Sequence, residues 1–207
     1  MQPARTFVYI DGFNLYYRAV KGTPYKWLDL KAMVCHLLGS QNDVKAIKYF
    51  TALVSGRLDP HQPIRQKTYI RALKAHIPEL SVYYGHFLSH EVDAPIAASD
   101  PIRFARIIKT EEKGSDVNLA VHMLNDAWLD RYDCAVVISN DSDLAEALQI
   151  VKNQLKKKIG IISPVNNPSQ ELLKHAAFIK KIRKGVLAAS QLPNPIPCTI
   201  IHKPSGW

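Results

Sequence analysis

What this 207-residue chain lacks narrows its chemistry before any motif is considered. No apolar run approaches the roughly 18 to 20 residues that cross a bilayer, and the opening Met1-Gln2-Pro3-Ala4-Arg5 has no apolar leader-like stretch. The expectation is a cytoplasmic protein with no membrane partner. The three cysteines, Cys35, Cys134 and Cys198, are odd in number, far apart and never in a CxxC pair. That argues against a disulfide framework or a zinc knuckle and leaves reduced, buried thiols as the expectation. Also absent are the GxGxxG dinucleotide fingerprint, the GxxxxGK[ST] phosphate loop, the GxSxG elbow and the HExxH zinc helix. No internal repeat or low-complexity tract occurs.

Acid is scarce in one place in particular. Residues 151–207 carry ten Lys or Arg against the single acid Glu171, a surplus equal to the +9 formal charge of the whole chain. The first 150 residues therefore balance to zero. A basic third on a neutral body suits a polyanion surface, since neutralising phosphates releases counterions. The same lysines would also serve solubility alone.

The composition, 47% hydrophobic and 22% charged, is that of an ordinary globular domain able to bury a core. Five β-rich runs, Thr6–Ile10, Ala46–Leu53, Ser81–Phe87, Cys134–Ser139 and Lys158–Ile162, are each followed by a segment with helical character. Candidate helices are Asn14–Ala19, Leu28–Leu38, Pro63–His76, Ser115–Leu129, Asp141–Leu155 and Ser169–Ala176. Ile107–Thr110 reads as a further short strand, hairpin-paired with Phe87 and its neighbours. Val136-Val137-Ile138 and Ile159-Gly160-Ile161-Ile162 are nearly continuous apolar runs, as strands covered on both faces must be. The fold expected is α/β, a central parallel sheet flanked by helices. Its domain spans 1–185, and a Pro-rich tail, 186–207, is read as an extended arm.

Acidic residues cluster just after three of these strands. Thr6–Ile10 runs into Asp11-Gly12-Phe13-Asn14, Cys134–Ser139 into Asn140-Asp141-Ser142-Asp143, and Ile107–Thr110 leads to Glu112-Lys113-Gly114-Ser115-Asp116. In an open parallel sheet the ligand crevice lies beyond the carboxyl ends of the strands, so these acids would converge. Carboxylates so gathered repel one another unless a cation or protons compensate. Oxygen-only ligands suit Mg²⁺ or Mn²⁺, which could polarise a phosphoryl oxygen. Each segment alone also reads blandly: a turn at Asp11-Gly12, a helix cap at Asp141 and Asp143, and a first-turn acid at Asp116. Tyr16 and Tyr17 follow the first acid closely and read as packing residues or as stacking platforms.

Three ordered segments together resemble the NYN domain, a branch of the PIN-like ribonuclease superfamily. They are Phe7-Val8-Tyr9-Ile10-Asp11-Gly12-Phe13-Asn14-Leu15, Lys113-Gly114-Ser115-Asp116-Val117, and Val137-Ile138-Ser139-Asn140-Asp141-Ser142-Asp143-Leu144. The resemblance implies a Rossmann-like (PIN-like) central parallel sheet and a Mg²⁺- or Mn²⁺-dependent endonuclease acting on nucleic acid, RNA favoured over DNA, and leaves a homo-oligomer open. Carried over by position, Asp11, Asp116 and Asp141 would be the principal metal ligands and Asp143 a supporting one. Asn14 would orient a carboxylate or phosphate oxygen. Lys113 and the run Lys156, Lys157 and Lys158 are the candidate nucleic-acid contacts.

One departure from the family pattern is His122, where many members carry another Asp. It reads as a structural histidine, with Asp126 as a possible source of the missing charge. Two rival readings follow. One is a catalytically weak binding or regulatory module with the same fold, and the other a phosphatase-like enzyme.

Overall fold

A computed structural model describes residues 2–57, 59–98 and 100–207. In chain order its strands are β1 (Ala4–Asp11), β2 (Asn42–Thr51), β3 (Leu80–Tyr84), β4 (His86–Pro95), β5 (Phe104–Lys113), β6 (Cys134–Ile138), β7 (Lys158–Ser163) and β8 (Phe178–Lys181). The α-helices are α1 (Gly12–Leu15), α2 (Leu30–Leu38), α3 (Gln62–His76), α4 (Ser115–Trp128), α5 (Ala145–Asn153), α6 (Gln170–Leu173) and α7 (Lys184–Ala189). A π-helical turn at Tyr16–Val20 and a 3-10 turn at Ser142–Leu144 complete the set.

Six strands form one parallel sheet in the order β3-β2-β1-β6-β7-β8. The expected α/β architecture is therefore the observed one. Its cause is visible in the burial: every residue of β6 is buried, as a strand with helices on both faces requires. Alternation along β1 divides the core. Val8 and Ile10 face α2, α3 and α7 through Met33, Leu73 and Leu187. Tyr9 faces α4 and α5 through Leu119, Met123 and Leu148. Strand order reverses between β1 and β6, so the crevice of the doubly wound sheet opens at their carboxyl ends.

The ribbon predicted from Ile107–Thr110 is present and longer. β4 and β5 pair antiparallel, with Phe87 opposite Glu112. The expected strand Ser81–Phe87 is instead interrupted at Gly85, where β3 leaves the sheet and β4 enters the ribbon. β8 escapes periodicity analysis because Phe178-Ile179-Lys180-Lys181 is short and half cationic, the composition of a protected edge.

The extended-arm reading of the tail is corrected. Residues 184–189 are helical, and Leu187, Leu192 and Ile196 are buried in the core. Further along, the Trp207 ring lies 6.3 Å from Trp27 and 5.4 Å from Tyr69. Prolines end secondary structure without preventing apolar side chains between them from docking. The cysteine expectation holds only for Cys134; Cys35 and Cys198 are exposed, and all three thiols are free.

Candidate functional site

β1 delivers Asp11 to the switch point, 4% exposed. Its carboxylate accepts from the Asn14 backbone N–H at 2.8 Å, capping α1, and from the Ser139 hydroxyl at 3.0 Å. Burial raises the Asp11 pKa, and these hydrogen bonds oppose the rise. Gly12 is required by close approach: a Cβ there would stand 2.7 Å from the Tyr49 ring and 2.8 Å from the Phe50 carbonyl oxygen.

Directly across the seam, β6 ends before Ser139, Asn140 and Asp141. The Ser139 oxygen accepts from the Asp141 N–H at 3.1 Å, so one hydroxyl holds acids from both strands. Asp141 in turn caps the 3-10 turn, accepting from the Asp143 N–H at 3.0 Å. The capping roles expected of Asp11 and Asp141 are thus the observed ones. Asn14 does orient its surroundings, but through the backbone: its side-chain oxygen accepts from the Asn140 N–H at 3.2 Å.

Asp116 arrives on the first turn of α4 after Gly114, whose φ of +94° is a conformation that favours glycine. Glu112 finishes that turn, accepting from the Ser115 N–H at 3.1 Å and the Ser115 hydroxyl at 2.7 Å. Burial first, then Asp11, Asp141, Glu112 and Asp143, push the Asp116 carboxyl up to about 7. Asp11, Asp141 and Asp143 therefore all lie within electrostatic reach of Asp116. Glu112 and Ser139 belong to the same cluster and escape selection by sequence. Both stand inside the acid-bearing segments, but neither is a strand-terminal Asp.

The chemistry of this donor set, all carboxylate oxygen with an excess of negative charge, fits a hard divalent cation. Among the described residues no three His, Cys, Asp or Glu side chains are arranged to hold an ion by themselves.

His122 does not enter this cluster. Its ring packs 4.0 Å from Tyr83 and 5.7 Å from Phe50, and burial, then Lys48, lowers its pKa. Asp126 does not supply a missing site charge either. Fully buried, it accepts from Lys48 at 2.5 Å, Tyr9 at 2.8 Å and Arg131 at 3.0 Å, which together hold its carboxyl below the usual range despite burial.

The candidate cations divide by position. Lys113 ends β5 beside the cluster, half exposed and 3.3 Å from Glu111. Lys156, Lys157 and Lys158 instead precede or begin β7, at the amino ends of the strands, while the acids follow the carboxyl ends. Lys157 is moreover ion-paired with Asp130. Exposed Lys180, Lys181, Arg183 and Lys184 lie at or after the carboxyl end of β8, on the acids' side of the sheet. At about 4.8 Å per strand, β8 stands only about 10 Å from β6.

On the opposite face of the sheet from α4 lies a cavity of about 400 Å³, whose walls include Tyr16, Tyr17, Tyr49, Tyr69 and Trp207. Both tyrosines of the π-helical turn thus line a cavity, and Tyr17 is half exposed.

Known proteins share this architecture. The family model described as the NYN domain matches residues 5–183. The 6-hydroxy-3-succinoylpyridine 3-monooxygenase HspA of Pseudomonas putida is 34% identical over 239 residues, covering 100% of this chain and 76% of that protein. A crystal structure of a protein of unknown function from Vibrio parahaemolyticus superposes with a TM-score of 0.60 at 16% identity, covering 92% of this chain and 98% of the other. That last likeness concerns the fold alone.

Proposed function

The chain belongs to the NYN domain family, and on that premise we propose that it is a divalent-metal-dependent nuclease that hydrolyses phosphodiester bonds, in RNA before DNA. One observation carries the reading: burial first, and then the charges of Asp11 at the end of β1, Asp141 and Asp143 at the 3-10 turn and Glu112 of β5, push the carboxyl of Asp116 on α4 up to about 7. Asp11, Asp116 and Asp141 would hold Mg²⁺ or Mn²⁺, with Asp143 beside them. When bound, the ion supplies charge neutralisation and a polarised phosphoryl oxygen.

The chain's own residues do the positioning. Ser139 and the Asn14 N–H fix both oxygens of Asp11. Asn14 restrains the loop carrying Asp141 through Asn140. Lys113, Lys180, Lys181, Arg183 and Lys184 offer positive charge to a phosphate backbone on the same side of the sheet.

The test is cleavage of labelled single-stranded RNA with Mg²⁺, Mn²⁺ or EDTA, by the wild type and Asp141→Asn. Metal-dependent cutting lost in the variant is expected. Binding without cutting in any metal would replace this reading with the regulatory-module one, and cleavage of small phosphomonoesters alone with the phosphatase-like one.

A second reading has its own support. The Pseudomonas relative is named for oxygenation of a substituted pyridine, and an aromatic-walled cavity is present in this chain. On that reading the substrate is a heteroaromatic acid, and dioxygen and a two-electron reductant are consumed. Oxygen uptake with 6-hydroxy-3-succinoylpyridine and a reduced nicotinamide nucleotide tests it; no uptake above background rejects it.

A further inference from the structure

We propose that the cavity on the α1–α3 face, whose lining includes none of the four acids, is a binding site for a small planar aromatic monocarboxylate. In its ligand class this leans on the second reading above; in its place and charge it depends on the cavity alone, and it requires no catalysis.

Size comes first. About 400 Å³ falls within the ~300–1,000 Å³ range of pockets that take small organic ligands. The walls then select shape. Tyr16, Tyr49, Tyr69 and Trp207 line the space, so a flat ring has π faces and edges to pack on from several sides. These rings are fixed by their own contacts. The Tyr69 hydroxyl donates to the Leu28 carbonyl at 2.7 Å, and Trp207 packs on Tyr69 at 5.4 Å between ring centres. Tyr16 is placed by the π-helical turn, closed by a bond from the Lys21 N–H to the Tyr16 carbonyl at 2.7 Å. Such turns recur at functional sites because they break the regular presentation of side chains.

Charge selects the substituent. Arg65 and Asp59 both line the cavity and neutralise each other in an ion pair. Lys26, half-buried in the wall, has no ion-pair partner among the described residues. The Gln62 side-chain amide likewise has no hydrogen-bond partner among them. Among the lining side chains the cavity therefore offers one cation without an ion-pair partner and a free amide beside aromatic walls. One carboxylate matches this. A phosphate monoester, with a charge of about −1.5 to −2 near pH 7, overfills it. A partly buried ammonium gains most from a single charge-assisted partner, because the alternative is to remain unpaired in a low-dielectric wall.

The lining includes none of Asp11, Asp116, Asp141 or Asp143, although Gly12 and Phe13, which follow Asp11 directly, stand in the wall and the Asp11 charge reaches Tyr49 there. Tyr49 packs in the core layer of α2 and α3, while Asp116 lies on α4 across the sheet.

The experiment is titration calorimetry on the full chain with pyridine-3-carboxylate, 4-hydroxybenzoate and indole-3-acetate, and with pyridine-3-carboxamide and adenosine monophosphate as contrasts. We expect one-to-one binding of at least one acid, weakened about tenfold or more by Lys26→Met and by Trp207→Ala, and unchanged by Asp141→Asn. The carboxamide should bind about tenfold more weakly than its acid. Melting temperatures of the variants confirm that they remain folded, and Lys26→Arg should retain binding. No heat from any acid at about 1 mM overturns the proposal. So does equal affinity for acid and carboxamide, or binding of the nucleotide alone. Oxygen uptake and RNA cleavage measured on the same preparations keep its failure distinct from that of either functional reading.

Discussion

The Ser139 hydroxyl donates to Asp11 Oδ2 at 3.0 Å across the seam between β1 and β6, two residues 128 positions apart in sequence. Because the same oxygen accepts from the Asp141 N–H, this serine sets the relative placement of two acids. Ser139→Ala leaves a buried carboxylate oxygen short of a donor and should lower stability by about 1–3 kcal/mol. Urea unfolding with an unchanged m-value measures it. It should also weaken Mn²⁺ binding, and an unaffected metal affinity would remove Ser139 from the site.

Asp116 links the site to pH. Its carboxyl titrates at about 7 in the folded chain against an ordinary 3.8, so between those values the folded state binds more protons than the unfolded one. Stability contributed by this group is therefore lost as pH rises through that window and is intact below it. In chelator, Asp116→Asn should stabilise the protein by about 1–3 kcal/mol near pH 8 and by nothing near pH 4. A variant no more stable at the higher pH would mean that burial and the neighbouring acids do not raise the Asp116 carboxyl.

Divalent metal should relieve the same repulsion. Mn²⁺ at about a hundred times its dissociation constant should stabilise the wild type by about 2.7 kcal/mol, a rise of several degrees in Tm. Asp11→Asn and Asp141→Asn should show little of that rise, and EDTA should abolish it. Equal shifts in all three proteins would place the ion elsewhere.

The Lys48–Asp126 pair, 9% and 1% exposed, is a structural anchor under β2 and α4. Lys48→Met removes one of the two cations on a buried carboxylate, leaving Arg131 and the Tyr9 hydroxyl, and should cost about 1–3 kcal/mol, less than the loss of a sole partner. Adding Asp126→Leu should restore much of that loss, and RNA cleavage should be unchanged in the double variant. Thermal unfolding of the single and double variants decides between an anchor and an inert pair.

For the basic surface, replacing Lys181, Arg183 and Lys184 by Ser should flatten the salt dependence of RNA binding by about one unit of slope for each phosphate no longer neutralised. The same change at Lys156, Lys157 and Lys158 should do less, because those residues stand at the other end of the strands. A larger effect from the second set would reverse this assignment.

Much of the site is legible in the sequence. Asp11, Asp116, Asp141 and Asp143 stand out because each follows a strand or opens a helix, and an open parallel sheet sends all such positions to one edge. Glu112 and Ser139 are not separable from ordinary turn residues, since their roles are hydrogen bonds to Ser115 and Asp11 that no local pattern announces. Lys156, Lys157 and Lys158 are selected by charge density alone, which carries no information about which end of β7 they occupy.

The sequence by itself determined the layered parallel sheet and the convergence of its acids, because strand periodicity and the handed order of βα units are local rules that act over short stretches of chain. Only the tertiary structure decided that Asp126 is tied to Lys48, that the tail returns to bring Trp207 against Trp27 and Tyr69, and that an aromatic-walled cavity forms between Trp207, Tyr69 and Tyr16. Those pairings join residues far apart in the chain, and their energy comes from burial and charge compensation that exist only once the layers have met.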